Sequence, residues 1–562
     1  MYKHLYTVEG RNLPDIPWND YPRPQMKRKK WLCLNGQWDY EVQVNGVSSK
    51  GVRKIMVPFC PECLLSGIHE SYDGVAHMRY TRQFTLPIDF ADHRILLHFG
   101  AVDQKTRVFV NDELVGKYAG GYLPFSFDIT DAIILGENTL VVEAEDGLDS
   151  DYPWGKQKVN RGGMWYTPVS GIWQTVWIEP VPQKYIQTIG IRTENNTVHL
   201  TFKGIQEGSV IFEEKEYDFV GNQLSIEIEN PVHWSPENPH LYYFTVKSGE
   251  DEINSYFALR TLEIQEINGK KRLCLNGQPY FFHAVLDQGY WSDGLYTPAT
   301  PKLYEKDILN MKALGFNTLR KHIKVEAARF YYDCDRLGMI VFQDMVNNGS
   351  YSYLRDTVLP TIGFQKVSDR FLNPSKKVRT VFLKHMHDIV ECLNNYPSIV
   401  LWTIFNEGWG QFNADKAYEL LKIQDPTRWI DATSGWFRQK KSDFDSRHIY
   451  FKPLKMQAGD KPLLLSEYGG YVWKDLEHSF NQKKTYGYKI CETREEFVSN
   501  LQKLLNDVVK LAQKGLCGAV YTQVSDVEDE TNGLMTYDRM ICKVKPEEVV
   551  HYAHKLQEAV KK

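Results

Sequence analysis

The hydrophobic pattern of this chain changes near residue 263, and that change limits the folds open to it. Before this point apolar residues alternate or run at short intervals, as in MRYTRQFTL and NTLVVEAED, with Gly-Glu-Asn and Asn-Gly turns between such runs. After it, short apolar strands alternate with amphipathic helices, as in FNTLRKH followed by VEAARFYYDCDRLG. The first pattern is typical of antiparallel sheets and the second of parallel β/α folds.

The first 263 residues predict two β-sandwiches. Residues 1–182 carry strand signals with almost no helical period, and residues 183–263 contain shorter strands spaced for a small immunoglobulin-like sandwich. A chain of 562 residues is too long for one compact domain. We interpret the second sandwich as a spacer or brace.

Residues 264–562 predict a (β/α)8 barrel. About 300 residues of strand and helix alternation suit a barrel better than a doubly wound sheet, although spacing alone leaves both folds open. In a barrel of this kind the functional side chains lie at the carboxyl ends of the strands.

Two apolar strands end in a glutamate. SIVLWTIFNEGWG (398–410) presents Glu407, and KPLLLSEYGG (461–470) presents Glu467. Hydrolysis of a glycosidic bond needs two carboxyl groups, one protonated and one ionised. We expect Trp402, Phe405 and Trp409 to raise the pKa of Glu407 by desolvation, and Tyr468 to donate a hydrogen bond that favours ionised Glu467. Alternatively, each glutamate caps a strand or pairs with a basic side chain.

The motifs NEGW and SEYGG, together with VSGIWQTVWIEPVP (169–182) and HWSPENPHLYYFTV (233–246), resemble glycoside hydrolase family 2. That family includes β-galactosidases, β-glucuronidases and β-mannosidases. The resemblance implies a sugar-binding-like jelly roll over 1–182, an immunoglobulin-like sandwich over 183–263 and a catalytic barrel over 264–562. It also implies that Glu407 is the acid/base on the fourth strand, that Glu467 is the nucleophile on the seventh, and that Asn406 binds the sugar 2-hydroxyl.

Arg320 and His322 end the second predicted strand, in NTLRKHIK. Relatives in the family usually have NxxRxSHYP here, so the Arg carries over, the His is displaced by one place and the Tyr-Pro is missing. Arg320 either keeps Glu467 ionised or pairs with a structural carboxylate such as Asp344, which closes the third strand. His322 makes either a structural contact or one to a sugar hydroxyl.

Further pocket residues are predicted from three other strand ends and loops. Trp436 either stacks on a sugar or fills the core, and the end of the eighth strand offers a carboxylate cluster for a cation or sugar hydroxyls, without metal-ligand spacing. The long segment after Asp344 shows no convincing helix, and its aromatic residues either shape the pocket or pack within the loop. The residues concerned are Gln523, Asp526, Glu528, Tyr351, Tyr353 and Phe364.

The predicted activity is that of a retaining exo-β-glycosidase that works through a glycosyl-enzyme, without cofactor or metal. A β-galactosidase is the first choice, and β-glucosidase, β-mannosidase and β-glucuronidase are alternatives. Family 2 β-glucuronidases share an Asn-x-Lys motif after the last strand; ETNGLMTYDR has Asn532 but no Lys two places on, which disfavours that activity. Two other classes are a non-catalytic carbohydrate-binding protein with a degenerate barrel and a metal-dependent barrel hydrolase.

Composition excludes several partners. With 71 acidic and 67 basic side chains the net charge is −4, so no strong field attracts nucleic acid or an anionic membrane. No apolar run is long enough to span a bilayer. The first residues lack a secretory signal pattern, and the nine scattered cysteines, with CPEC at Cys60–Cys63 as a weak zinc or redox signal, fit reduced thiols. We therefore expect a cytoplasmic protein with a carbohydrate substrate and leave a homo-oligomer open.

Overall fold

The computed structural model describes residues 2–48, 51–364, 368–373, 375–450 and 452–562. The expected fold class is confirmed, because two antiparallel β-sandwiches are followed by a parallel eight-stranded barrel.

The first sandwich packs two antiparallel sheets around a core that includes Trp38, Tyr80 and Leu97. Strand Gly36–Val44 alternates buried and exposed residues, as a sheet with one face on the core requires. The smaller sheet contains, in order, Leu32–Cys33, Val176–Val181, Arg94–Phe99 and Phe125–Asp128. The larger contains Gly171–Ile172, Val102–Val110, Glu137–Asp146, Ala76–Thr85, Gly36–Val44 and Val47–Ser48, with Arg53–Val57 and Glu113–Gly120 paired alongside.

The second sandwich has seven strands in sheets of three and four, as an immunoglobulin-like module predicts. Its separate core includes Val198, Val210 and Val246. One sheet contains Thr188–Glu194, Thr197–Lys203 and Gln223–Glu227, and the other contains Lys215–Val220, Glu207–Phe212, Tyr242–Ser248 and Asp251–Phe257.

The barrel strands are β1 (Phe282–Asp287), β2 (Thr318–Lys321), β3 (Ile340–Asp344), β4 (Ile399–Asn406), β5 (Trp429–Ser434), β6 (Asp445–Ile449), β7 (Leu463–Gly469) and β8 (Leu516–Thr522). They pair in parallel in the order β5-β4-β3-β2-β1-β8-β7-β6. Among the described residues no backbone ladder joins β5 to β6, so the barrel is nearly closed.

The floor of the barrel is apolar, and this leaves the polar chemistry to the opposite end. Phe282, Phe342, Leu401 and Trp429 pack together there. A three-stranded sheet before β1 covers this end through Leu273. Its strands are Leu262–Ile267, Lys270–Leu275 and Gln278–Pro279.

Six longer helices surround the barrel: α1 (Lys302–Ala313), α2 (Ala328–Leu337), α3 (Lys376–Leu393), α4 (Ala414–Gln424), α5 (Arg494–Ala512) and α6 (His551–Lys561). The described parts of the connections from β5 to β6 and from β6 to β7 contain no helix, unlike a regular (β/α)8 barrel. Within the described ranges, none of the helices combines the length and apolarity needed to cross a bilayer.

The segment after β3 differs from its prediction. It contains short helical turns at Leu354–Val358, Leu359–Thr361 and Asp369–Phe371. Tyr353 and Phe364 are 67% and 60% exposed, so neither ring is packed within the loop, and that they shape a pocket stays a prediction. Both side chains instead face solvent, whereas Tyr351 packs on Trp165 of the first sandwich.

Arg28 ties the two sandwiches together. Its guanidinium is 5% exposed and donates to Glu179 of the first sandwich at 3.0 Å and to Asp251 of the second at 2.9 Å. Burial alone would raise the pKa of Glu179, but the charges of Arg23, His98 and Arg28 lower it to about 2. The contact is therefore a buried network of ionised groups.

Replacing Arg28 with Met is expected to destabilise the protein by about 3–5 kcal/mol, because it leaves buried carboxylates short of a partner. Thermal unfolding followed by circular dichroism measures the change. Arg94→Met is the matched control, since Arg94 pairs with Asp128 at an exposed position and such pairs contribute within about 1 kcal/mol. Equal shifts in the two variants would contradict the assigned role of Arg28.

Candidate active site

Four barrel strands bring buried polar side chains to the carboxyl end of the barrel. Arg320 lies on β2, Asp344 on β3, Asn406 on β4 and Glu467 on β7, and each is at most 6% exposed. Glu407 directly follows β4 with φ at +52°, a left-handed conformation that a non-glycine residue rarely adopts. The backbone therefore turns at Glu407.

Arg320 connects the ends of these strands. Its Nε donates to Asp344 Oδ1 at 2.9 Å, its Nη1 to Glu467 Oε1 at 3.0 Å and its Nη2 to Asn406 Oδ1 at 2.8 Å. Arg320 thus contacts Asp344 and Glu467 at once, so its two interpretations do not exclude each other. A planar guanidinium with five N–H groups can hold several acceptors in fixed positions.

Glu467 is surrounded by groups that favour its ionised form. Burial alone would raise the pKa of Glu467, but the charges of His448, Arg320 and His322 and the hydrogen bond from Tyr450 lower it to about 2. The Tyr450 hydroxyl donates to Oε2, while Arg320 occupies Oε1. Glu467 is therefore an anion at neutral pH.

His322 is held by Asp344. Its Nδ1 lies 2.8 Å from Asp344 Oδ2, so one carboxylate orients both His322 and Arg320. Burial would raise the pKa of Asp344, but Arg320 and His322 bring it below its ordinary value. The displaced histidine of the sequence motif thus lies next to the arginine network.

The side-chain NH2 group of Asn406 has no hydrogen-bond partner among the described residues. Its Oδ1 accepts from Arg320, which assigns Nδ2 to the other side, and Nδ2 is buried without a hydrogen-bond partner. A buried N–H group without a partner costs free energy unless a ligand accepts from it. The amide is therefore a donor available to a bound molecule.

His448, on β6, stands between the two candidate carboxylates. Its Nδ1 lies 2.8 Å from Glu407 Oε1, and its Nε2 lies 2.9 Å from Ser434 Oγ and 3.6 Å from Glu467 Oε1. The second oxygen of Glu407, Oε2, makes no hydrogen bond within the described part of the chain. One oxygen of Glu407 is thus anchored and the other is free.

The sequence analysis missed His448 and Tyr450. Both lie in the run DSRHIYF, where β6 is short, is rich in charged residues and has no helix on either side in the described chain. The apolar periodicity used to find the other strands is therefore weak here. A His and a Tyr two places apart ahead of the SEYGG strand are the signal that could have identified them.

The expected role of Tyr468 is wrong. Its hydroxyl is buried without a hydrogen-bond partner, and its ring packs edge-on against Tyr521. Successive side chains of a strand point to opposite faces, so Tyr468 cannot share a face with Glu467. Tyr450 is the tyrosine that donates to Glu467.

The expected aromatic surroundings of Glu407 are also partly wrong. Trp402 donates through its indole N–H to Asp425 at 2.8 Å, and Phe405 stacks on Phe382 of α3, so both rings pack against the helices. Trp409 instead packs on Trp165 of the first sandwich, with ring centroids 5.1 Å apart.

Trp436 lies at the site, whereas the polar residues at the end of β8 are hydrogen-bonded or paired to other side chains. The Trp436 ring is half-buried and meets His448 edge-on at 6.4 Å, which brings it to the site. Gln523 is fully buried and bonds to Gln288 and Asn532 at 2.7 and 2.8 Å. The two carboxylates that follow Gln523 are paired with basic side chains, Asp526 with Lys543 and Glu528 with Arg161.

One group of three among the described residues could hold a metal ion, and it coincides with this site. Single ligand atoms of Glu407, His448 and Glu467 lie within 4.8 Å of one another. Each already has a protein partner: His448 bonds Glu407, while Arg320 and Tyr450 occupy Glu467. The Arg320 guanidinium places a positive charge beside Glu467, one of these three residues.

Comparison with protein families matches nearly all of the barrel, the second sandwich and the first sandwich from residue 70 onwards. The model "Glycosyl hydrolases family 2, TIM barrel domain" matches residues 266–558, the sugar binding domain matches 70–182, and the intervening family 2 domain matches 182–260. The chain belongs to glycoside hydrolase family 2. The resemblance carried by NEGW and SEYGG is thereby confirmed.

Three relatives illustrate the similarity. A β-galactosidase from Priestia megaterium is 25% identical over 505 residues, which cover 79% of this chain and 45% of that protein. The chain thus spans about half the length of the curated relatives it matches. A β-D-glucuronidase structure from Dictyoglomus thermophilum has a TM-score of 0.74 at 19% identity, covering 96% and 98% of the two chains. A β-galacturonidase structure from Eisenbergiella tayi has a TM-score of 0.68 at 20% identity, covering 95% and 98%.

Replacing Tyr450 with Phe removes a hydrogen bond to an ionised carboxylate, so kcat/KM for a glycoside substrate is expected to fall by about 10- to 100-fold. Because this bond helps to lower the pKa of Glu467, the acid limb of the pH profile should also move to higher pH. Tyr468→Phe is the matched control and should leave both quantities unchanged. A Tyr468→Phe effect as large as that of Tyr450→Phe would reverse the assignment.

Proposed function

We propose that this protein is a retaining exo-β-glycosidase that removes a terminal non-reducing β-linked sugar by double displacement. In this mechanism Glu467 attacks the anomeric carbon while Glu407 protonates the leaving oxygen. Glu407 then acts as a base and activates the water that hydrolyses the glycosyl-enzyme.

The spacing of the two carboxyl groups carries this proposal. One oxygen of Glu407 and one of Glu467 lie within 4.8 Å of each other. Retaining enzymes hold their carboxyl groups about 5–5.5 Å apart, whereas inverting enzymes need about 6.5–9.5 Å to accommodate a water molecule. The distance here supports direct attack by a carboxylate over attack by water.

The surroundings of the two glutamates support different roles for them. Both oxygens of Glu467 are held by donors and its pKa is lowered, which suits a nucleophile that must be ionised and aligned. Glu407 is held through one oxygen only, and its side chain is 13% exposed against 6% for Glu467. Its free oxygen suits proton transfer to a leaving group.

Asn406 supplies a contact for the sugar. Its unpartnered Nδ2 lies on the residue that precedes Glu407, and Arg320 fixes its orientation. A hydrogen bond to the sugar 2-hydroxyl that strengthens in the transition state lowers the barrier to glycosyl transfer.

A galacto-configured glycon is our first candidate, since the first curated relatives are named β-galactosidases. β-Glucosides, β-mannosides and β-glucuronides are the alternatives. A non-catalytic carbohydrate-binding protein is disfavoured, because burying an ion network of Arg320, Asp344 and Glu467 carries a desolvation cost that sugar binding alone does not require.

The roles of the two glutamates predict opposite products with azide. Glu467→Ala should lower kcat by at least about a thousandfold, and azide should restore turnover with an α-glycosyl azide as product. Glu407→Ala with azide should give the β-glycosyl azide, since the covalent intermediate still forms. Proton NMR of the anomeric signal distinguishes the products. Undiminished activity of Glu467→Ala on every glycoside tested would refute the mechanism.

Activity is expected to survive metal removal. Dialysis against EDTA should leave kcat/KM unchanged, because Arg320 already provides the positive charge beside Glu467. The measurement is hydrolysis of a nitrophenyl glycoside before and after dialysis, with and without added Zn²⁺ or Mg²⁺. Loss of activity that an added ion restores would favour a metal-dependent hydrolase built on Glu407, His448 and Glu467.

A further inference from the structure

A cleft of about 520 Å³ lies between the second sandwich and the amino end of the barrel; we call it the junction cleft. Its walls come from the strand Thr188–Glu194, from residues around Arg260 and from the turns that lead into β4 and β5. Ile399 begins β4, whereas Glu407 follows the last residue of that strand. The junction cleft and the candidate active site are therefore at opposite ends of the barrel.

Two arginines of the junction cleft share one acceptor. Arg260 Nη2 and Arg428 Nε each donate to the carbonyl oxygen of Ile399 at 2.8 Å, so the two guanidinium groups are direct neighbours. Like charges at such short range repel each other, and burial weakens the screening of that repulsion by water. An anionic partner for each arginine would offset the repulsion.

Arg428 has such a partner, whereas Arg260 has none. Arg428 Nη1 lies 2.9 Å from Asp425 Oδ2. Arg260 makes no ion pair with any residue that the structure describes, and its Nε and Nη2 donate only to the backbone carbonyl oxygens of Pro397 and Ile399. The pair of guanidinium groups therefore carries one positive charge more than its protein partners neutralise.

The two acids that line the junction cleft are both engaged elsewhere. Asp425 accepts through Oδ2 from Arg428 and through Oδ1 from the backbone N–H and the hydroxyl group of Thr427. Glu194 is exposed and pairs with Arg192 at 3.1 Å. Neither carboxylate is placed to neutralise the second guanidinium.

The missing partner also affects the protonation of Arg260. Burial and the positive charge of Arg428 lower the pKa of the Arg260 guanidinium to about 9, far below the ordinary value of an arginine. The group is still a cation at neutral pH. An anion beside it would offset both influences, because it would replace lost hydration and cancel part of the repulsion.

Arg260 can still donate into the junction cleft. Its Nη1 makes no hydrogen bond to any of the described residues, and the side chain is only partly buried where it lines the cleft. Thr193 and Asn394 line the same cleft with a hydroxyl group and an amide. A guanidinium matches the oxygens of phosphate-like groups better than a spherical ion, because its N–H groups lie in one plane.

We propose that the junction cleft binds a small oxyanion of the phosphate or sulfate type, and that Arg260 is the group that binds it. The inference does not depend on the proposed glycosidase function, since the cleft lies at the other end of β4 from Glu407. A bound anion would neutralise the unpaired guanidinium and strengthen the turn into β4, which both arginines hold through Ile399 O. Its expected effect is on stability.

Titration with inorganic phosphate tests the inference in the wild-type protein. Thermal unfolding should show a saturable rise in Tm as phosphate replaces chloride at constant ionic strength, by about 1–3 °C at ten times the dissociation constant. Phosphorus NMR measures binding of phosphate directly, and added sulfate should compete with it.

Arg260→Gln should remove the saturable rise in Tm and weaken phosphate binding by at least about tenfold, because it removes the unpaired charge. Arg260→Lys keeps the charge without the planar set of donors and should retain part of the binding. Arg94→Gln is the matched control, since Arg94 pairs with Asp128 at an exposed position outside the junction cleft. It should respond to phosphate as the wild-type protein does.

A second variant keeps the test decisive if Arg260→Gln does not fold. Thr193→Asp adds a carboxylate to the wall of the junction cleft and leaves Arg260 in place, so repulsion should weaken phosphate binding. An equal rise in Tm for every variant would be a general salt effect and would overturn the inference. Absence of phosphate binding to the wild-type protein, or binding that Arg260→Gln and Thr193→Asp leave unchanged, would overturn it as well.

Discussion

The buried guanidinium of Arg320 is the interaction on which the arrangement of the site depends. From β2 it reaches an acceptor on each of β3, β4 and β7. Its charge also offsets the burial of two carboxylates that would otherwise be driven towards protonation. One side chain therefore links the ends of four strands and, together with His448, His322 and Tyr450, keeps Glu467 ionised.

Much of the fold was predictable because hydrophobic periodicity reports directly on which face of an element is buried. The change near residue 263 separated sandwiches from barrel, and the runs ending in Glu407 and Glu467 placed both acids at strand ends. Their proximity was an expectation from topology, since parallel strands of a barrel end on one face. Turns and short strands with mixed composition, such as β6, carry no comparable signal.

The errors have physical causes that are specific to each residue. Tyr468 was chosen for its adjacency to Glu467, although alternation along a strand places neighbours on opposite faces. Tyr450 was missed because it reaches Glu467 from the end of β6, through a tertiary contact that the apolar periodicity of the chain does not encode. Trp402 and Phe405 are aromatic residues near Glu407 in sequence, but the strand directs them to the helices.

His448 also connects β5 and β6, the two strands between which the barrel is open. In the described chain no backbone ladder crosses that edge. A side-chain hydrogen bond between His448 Nε2 and Ser434 Oγ connects the two strands there. The same ring holds Glu407 through its other nitrogen. Because both ring nitrogens of His448 are engaged, a wider gap between β5 and β6 would disturb the contact that orients the Glu407 carboxyl group.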